Sequence, residues 1–465
     1  MTPRIAEIPY HADGAELYER LRDRPWSVFL DSGPPEARRG RFDIIAAEPE
    51  VRVVTRAGRT TVGGVAADRV AGDPLEALRQ ALGPRTRSVD PWPFAGGAIG
   101  CFGYELGRLW EPVARGGAPC DDAPDLAAGI HGWAVVVDHA LRRAALISDA
   151  RSALTAAGTE ALLETLHGGA GSAPPRPFVV RGPLRVNMSR DEHAAALSRI
   201  ARYIRDGDVY QINFSQRFDA EVDGDPWEFY RRLRRRNPAP YSAYLSFPFA
   251  TILSASPEQF LQVRGGRVTT RPIKGTRARD PDPARDRALA RELQASAKDR
   301  AENLMIVDLL RNDLGKTCAI GSVTVPHLFE IESYASVHHL VSTVEGELAP
   351  DRDALDLLRG CFPGGSITGA PKRRAMEIIE ELEPNRRGVH YGAIGYLGFD
   401  GSMDLNIAIR TLIVSGGTVR FWAGGGIVAD SDAQAEYQEC LDKVAPMLEL
   451  LGATPAMDAD RRGAV

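Results

Sequence analysis

The chain has 465 residues, 44 % of them hydrophobic and 26 % charged, with a formal net charge of −5. This is globular composition, and the chain is too long for one small core, so two or three domains or one large two-sheet fold are expected. The charge balance excludes a general attraction to nucleic acid or anionic membrane, and no apolar run reaches membrane-spanning length.

The first residues, Met1 to Gly14, hold no apolar stretch behind basic residues, so no secretory signal is read there and a cytoplasmic protein is expected. Residues 1–167 read as short strands with turns, such as Trp26–Leu30 and Val51–Thr55, and as helices at Asp73–Leu82 and Ala153–Leu166. The Gly/Pro/Ser-rich run 168–177 reads as a surface linker. A longer region, 178–451, follows, and 452–465 read as a disordered tail.

The longer region opens with a helix. Ser189-Arg-Asp-Glu192 has the form of a capping box, and Leu197, Ile200, Ala201 and Ile204 form one apolar stripe. Strands are predicted at Val209–Phe218, Tyr244–Phe247, Thr251–Ser254, Phe260–Val263 and Val268–Pro272. One long helix is predicted from Pro283 to Leu314, and a closing helix from Ser431 to Leu451. Hairpins mixed with helices point to antiparallel sheets flanked by helices, an α+β fold.

The five cysteines (Cys101, Cys120, Cys318, Cys361 and Cys440) are odd in number, widely spaced and without a C-x-x-C pair. Neither a disulfide framework nor a zinc site follows, and buried thiols are expected. Lysine usage says more. The five lysines (Lys274, Lys298, Lys316, Lys372 and Lys443) all lie in the second half, and elsewhere the basic residues are arginines. Arginine stays protonated and cannot be a nucleophile, whereas lysine can once burial or nearby cations lower its pKa.

Lys274 stands in Arg271-Pro-Ile-Lys-Gly-Thr276, between a strand end and a glycine turn. Such a lysine projects either into a cleft or into solvent. Asp299-x-x-Glu302 and Glu436-x-x-Glu439 fall in two predicted helices, and i, i+3 spacing puts each pair on one face. Either pair alone reads as a solvated acidic face. Together they suit a hard divalent cation such as Mg²⁺, which takes oxygen ligands and keeps several waters. Lys443 lies on the same face as Glu436, where it can meet a substrate carboxylate.

Two glycine-rich turns, Phe362–Lys372 and Ala423–Gly426, match neither a P-loop nor a Rossmann fingerprint, so a nucleotide is not indicated. Their backbone N–H groups suit carboxylates, Ser366 and Thr368 add hydroxyls, and a helix is predicted to start at about Ala370. Glu258 and His339 are further single candidates. The run Arg231–Arg236 reads as a solvated helix face, because aromatic interleaving and an overall basic balance are missing.

In combination these segments resemble the chorismate-utilising enzymes, the family of the anthranilate, aminodeoxychorismate, isochorismate and salicylate synthases. The resemblance rests on Pro272–Thr276, Ala301–Gly315, His339–Ser342, Phe362–Lys372, Tyr391–Tyr396 and Glu436–Lys443, in that order. In the N-terminal region it rests on Ser32–Pro49 and Gly96–Gly107. It implies a large antiparallel α/β/β/α sandwich. Anthranilate-forming members usually have Ala where this chain has Lys274, and aminodeoxychorismate-forming members have Lys. Isochorismate- and salicylate-forming members carry a water-activating lysine where this chain has Gln211, so ammonia rather than water is the implied nucleophile.

The resemblance further implies Mg²⁺ on Glu302 and Glu439, with Asp299 and Glu436 acting through water. Glu258 becomes the general acid and Lys274 the covalent nucleophile, with His339 near the ring. Ser366, Tyr396, Arg410, Gly424, Gly426 and Lys443 become substrate-holding groups. No glutaminase cysteine is legible, since Cys101 and Cys361 are expected in glycine-rich turns without the G-x-C-x-G form. A separate glutamine amidotransferase subunit is therefore implied as the ammonia source, and the product would be a precursor of 4-aminobenzoate and folate. In this family the N-terminal region can hold tryptophan, as a regulator or a structural ligand, near Leu30–Ser32 here. The rival readings are an anthranilate-forming enzyme with an incidental Lys274, and a non-catalytic subunit that binds chorismate or tryptophan.

Overall fold

The computed structural model describes residues 3–38, 40–64, 69–114, 116–118, 123–168, 172–334 and 337–452. Cys120, part of the linker and nearly all of the tail read over 452–465 lie outside the described residues.

Two antiparallel sheets, of 13 and 12 strands among the described residues, carry the fold. In the first, Val28–Asp31 pairs with Tyr241–Ser246, and Gln211–Asp223 pairs with Thr418–Ile427. In the second, Gly97–Phe102 pairs with Ala393–Gly398, and Val337–Glu347 pairs with Ile273–Ala278. Segments from both sides of the Gly/Pro-rich run thus share each sheet, so the run joins two stretches of one packed body.

The strand period of two decides which side chains meet between the sheets. Val28, Ile44, Val136 and Leu245 of the first sheet meet Ile99 and Ile394 of the second in one apolar cluster. Their neighbours Phe29 and Ile45 point the other way, into a cluster with the helical residues Tyr18, Leu162, Trp227 and Val444. The outer face of the second sheet is covered by Leu75, Val307, Leu358 and Met376. The result is the α/β/β/α sandwich that the resemblance implies.

The helix predicted as one piece over Pro283–Leu314 is two, Pro283–Ala295 and Ala297–Gly315. Ser296 breaks it with an extended backbone (φ −61°, ψ 113°), and its side chain accepts a hydrogen bond from the Asp299 N–H. It closes the first helix and caps the second. Because no glycine or proline marks the break, hydrophobic spacing alone runs through it. The break starts a fresh helix whose first two turns carry Asp299 and Glu302. The capping prediction holds: Ser189 and Glu192 bond each other's backbone N–H. The helix predicted from about Ala370 begins at Lys372, because Gly369–Ala370 pairs with the Gln211–Asp223 strand.

The basic run Arg231–Arg236 is more than a solvated face. Arg231 pairs with Glu19, Arg232 with Glu228 and Arg236 with Glu449. Arg234 is 1 % exposed and donates to both oxygens of buried Asp31, at 2.7 and 2.9 Å, and to Asp13. Removing one partner strands a charge in the interior. Arg234→Met is expected to lower the unfolding free energy by about 3–5 kcal/mol, read from denaturant midpoints. A loss below ~1 kcal/mol would mean that Asp31 is neutralised in some other way.

Candidate active site

Lys274 lies on the strand Ile273–Ala278, at one side of the second sheet. Gly275 after it has φ +87°, a left-handed turn that a side chain would strain. A Cβ there would also stand 2.9 Å from Asp299 Oδ1, so the acid helix Ala297–Gly315 packs directly on this turn. The Lys274 ammonium donates to the Ser366 carbonyl at 3.3 Å. Burial pushes its pKa below the ordinary lysine range, and Lys443 adds to that push. Glu258, Glu302 and Glu439 act in the opposite sense, which places all three carboxyls around this amine.

Glu258 is 5 % exposed, and burial pushes its carboxyl up to about 7 despite hydrogen bonds from the Ser366 hydroxyl and the Ile273 N–H and the nearby Lys274. Its protonated form therefore dominates below about pH 7. His339 is buried beside Thr276, with its Nδ1 2.9 Å from the Thr276 hydroxyl. Burial and the charge of Arg410 bring it down to about 3, so it is a neutral imidazole. Arg410 has a left-handed backbone (φ +49°), and among the described residues its side-chain contact is Asn237 at 3.5 Å, with no carboxylate partner. A desolvated guanidinium without a carboxylate is a ready receptor for a substrate carboxylate.

The second acid pair comes from the closing helix, Ala433–Leu451, which packs on the first sheet while the Ala297–Gly315 helix packs on the second. Glu436 and Glu302 are close enough to act on each other, and burial with this mutual repulsion raises Glu302. Burial also raises Glu436, against a 2.6 Å hydrogen bond from Ser431. Burial works to raise Glu439 too, but Lys443, 2.7 Å away, holds it below its usual value. Lys443 also donates to the Gly424 carbonyl at 2.8 Å.

Among the described residues no three His, Cys, Asp or Glu side chains stand close enough to hold a metal by themselves. The four acids do not form a closed cage: Asp299 is tied to Arg277 at 3.1 Å, Glu439 to Lys443, and Glu436 to Ser431. The donor set nonetheless fits Mg²⁺, whose shell takes few protein carboxylates alongside water and substrate oxygens. The repulsion that raises Glu302 and Glu436 is the kind that a cation relieves.

Several predicted residues are placed differently from the expectation. Thr368 is fully buried and turns its hydroxyl onto the Gly364 carbonyl at 3.0 Å, where it closes the turn rather than facing the cleft. Tyr396 meets Phe94 edge to face and is hydrogen-bonded by Arg264. It lines a separate cavity of about 670 Å³ with Leu30, Asp31, Phe42 and Tyr241. Gly424 and Gly426 are needed for close packing, since a Cβ would stand 2.0 Å from the Phe214 carbonyl and 2.5 Å from the Gln211 amide. Cys101 lies within a strand and Cys361 ends a helix, so neither sits in a turn, and both are buried.

Two site features escaped the sequence reading, Gly425 and the backbone of Tyr391. Gly425, not its neighbours, faces the acids: a Cβ there would stand 3.1 Å from Glu436, 3.6 Å from Lys443 and 3.7 Å from Glu439. Strand alternation from Gly424 was the available signal. Tyr391 is buried with φ +66°, its ring 4.7 Å from the Arg387 guanidinium. A non-glycine residue held there is strained, and nothing in local sequence foretells it. The side-chain amide of Gln211 is fully buried, and neither of its polar atoms has a hydrogen-bond partner among the described residues.

The family model of the chorismate binding enzymes matches residues 27–449. The chain is 46 % identical to aminodeoxychorismate synthase component 1 of Klebsiella aerogenes over 97 % of this chain and 99 % of that one. It is 43 % identical to anthranilate synthase component 1 of Streptomyces coelicolor, over 81 % of this chain and 77 % of that one. In three dimensions it is similar to anthranilate synthase component I from Streptococcus pneumoniae, with a TM-score of 0.77 and 36 % identity, covering 87 % of this chain and 91 % of that one. A lysine amid carboxylates, a buried glutamate beside it and a near full-length family match lead to one assignment: this chain belongs to the chorismate-binding enzymes.

Proposed function

We propose that the protein aminates chorismate at carbon 4 with ammonia, giving 4-amino-4-deoxychorismate, through a covalent adduct on Lys274. The observation that carries this reading is Lys274 itself, an amine with a burial-lowered pKa beside a glutamate raised to about 7. An amine at that point can act as nucleophile, and an alanine there cannot.

The free amine of Lys274 bonds to carbon 2 as the ring double bond shifts and the carbon 4 hydroxyl departs. Glu258 gives that hydroxyl its proton, so it leaves as water. Ammonia then bonds at carbon 4, the double bond shifts back, the Lys274–carbon 2 bond breaks, and the proton lost by the nitrogen returns to Glu258. The enolpyruvyl group is untouched. Arg410 meets a substrate carboxylate, and neutral His339 packs beside the ring without adding charge. The unpartnered Gln211 amide supports ammonia as the nucleophile, because its carbonyl oxygen accepts an N–H but is too weak a base to activate water.

Mg²⁺ would be held by Glu302 and Glu439, with Asp299 and Glu436 acting through water, and would supply positive charge for the ring carboxylate of chorismate. Chelation is therefore expected to abolish turnover and restored Mg²⁺ to recover it, measured as chorismate loss; turnover that survives EDTA would remove the metal from the scheme. Ammonia reaches the chain from a glutamine amidotransferase subunit, consistent with the "component 1" in the names of its relatives. The 670 Å³ cavity beside Leu30 and Asp31 is where tryptophan would sit.

The test is the product formed from chorismate, Mg²⁺ and ammonium by the isolated chain. Aminodeoxychorismate, which does not fluoresce as anthranilate does, is expected; fluorescent anthranilate as the main product would overturn the reading.

A further inference from the structure

Behind the cleft lies a buried hub that the scheme above does not use. Arg387 is 1 % exposed. It donates to both oxygens of Glu383, at 2.9 and 2.7 Å, to the Ile367 carbonyl at 2.8 Å and to the Asn213 carbonyl at 2.6 Å. Its guanidinium lies between two tyrosines, 4.6 Å from the Tyr104 ring and 4.7 Å from the Tyr391 ring. Glu383 also accepts from the Ser215 N–H and hydroxyl, both at 2.9 Å. Glu105 accepts from the backbone N–H of Arg387 at 3.0 Å and of Gly388 at 2.9 Å.

These contacts join parts that are far apart in sequence. Ile367 follows Ser366, whose carbonyl receives the Lys274 ammonium and whose hydroxyl bonds Glu258. Asn213 pairs with Gly426, next to the Gly425 that faces the acids. Tyr391, held at φ +66°, lays its ring against the same guanidinium. The fork of one guanidinium therefore sets the separation of the Ser366 turn, which orients Lys274 and Glu258, from the strand pair beside Glu436 and Glu439. Burying such a cation is costly, and a well-packed apolar group would often be as stable.

We propose that Arg387 is a positioning residue for the reaction: it fixes the Lys274–Glu258 side of the cleft at a set distance from the Glu436–Glu439 side. This rests on the reaction proposed above only in where the chemistry happens. The readout is therefore the chorismate turnover of a variant relative to the native chain, whichever product forms, so that a wrong product and a wrong role for Arg387 give different results.

In Arg387→Lys the charge opposite Glu383 remains, but an ammonium cannot span Glu383, Ile367 and Asn213 at once. The expected result is a folded protein whose kcat with ammonia falls by about 10²-fold, the cost of a misplacement near 1 Å, while KM for chorismate stays within about threefold of native, since Arg410 and Lys443 are untouched. The double variant E383Q/R387Q removes both charges together and leaves no stranded ion; it is expected to show the same split. A folded variant with native kcat, or one in which KM rises while kcat holds, would overturn the proposal. Failure of both variants to fold would overturn it too, by making Arg387 a stability residue.

Discussion

Lys274→Ala is expected to lower aminodeoxychorismate formation from ammonia by at least about 10³-fold, the scale on which losing a covalent nucleophile acts, while the fold stays intact. The side chain is half-buried and its cation is one of several near Glu302 and Glu439, with Lys298 and Lys443 remaining. Charge and nucleophilicity separate in a second variant. Lys274→Arg keeps a cation beside Glu258 and Glu302 but offers no free amine, since guanidinium stays protonated. Both variants are expected to be equally inactive in a discontinuous product assay. Activity retained by Lys274→Arg alone would mean that the residue acts through charge. Activity retained by both would remove Lys274 from the chemistry.

The second large effect is at Glu258. Replacement by Gln keeps the size and one hydrogen-bond acceptor but removes the transferable proton. Turnover is expected to fall by about 10²–10⁴-fold, with chorismate affinity little changed. The native pH profile carries the same information. Burial first of all raises this carboxyl to about 7, so the proton-donating form dominates below that pH and is lost above it. Lys274, lowered by burial, must instead be unprotonated, so rate is lost as pH falls. The profile is then bell-shaped, and its fall at high pH comes from the proton that Glu258 loses. In Glu258→Gln that fall should be absent. An unchanged fall would assign it to another group.

The parts of this site legible in the sequence are those set by short-range spacing. The i, i+3 acids of Asp299/Glu302 and Glu436/Glu439 lie on their helices as read, and the Ser189 capping box forms as written. Antiparallel α+β architecture followed from hairpins mixed with helices. What the sequence concealed depends on contacts between distant segments. The Ser296 break needs a side chain to accept from the Asp299 N–H, which competes with unbroken helical periodicity. The direction of Thr368 is settled by the Gly364 carbonyl, and the separate cavity of Tyr396 by strands from both ends of the chain. Gly425 was passed over in favour of its neighbours, although strand alternation distinguishes them. Arg387 is one arginine among many in the sequence; burial and four acceptor contacts single it out only in three dimensions.

The most direct measurement is the intact mass of the protein, quenched soon after mixing with chorismate and Mg²⁺ without ammonia, followed by peptide mapping. The expected result is a transient gain equal to chorismate less one water, located on Lys274 and missing from Lys274→Ala. Product formation with no such species on the native chain, or the same added mass on a different residue, would contradict the covalent route.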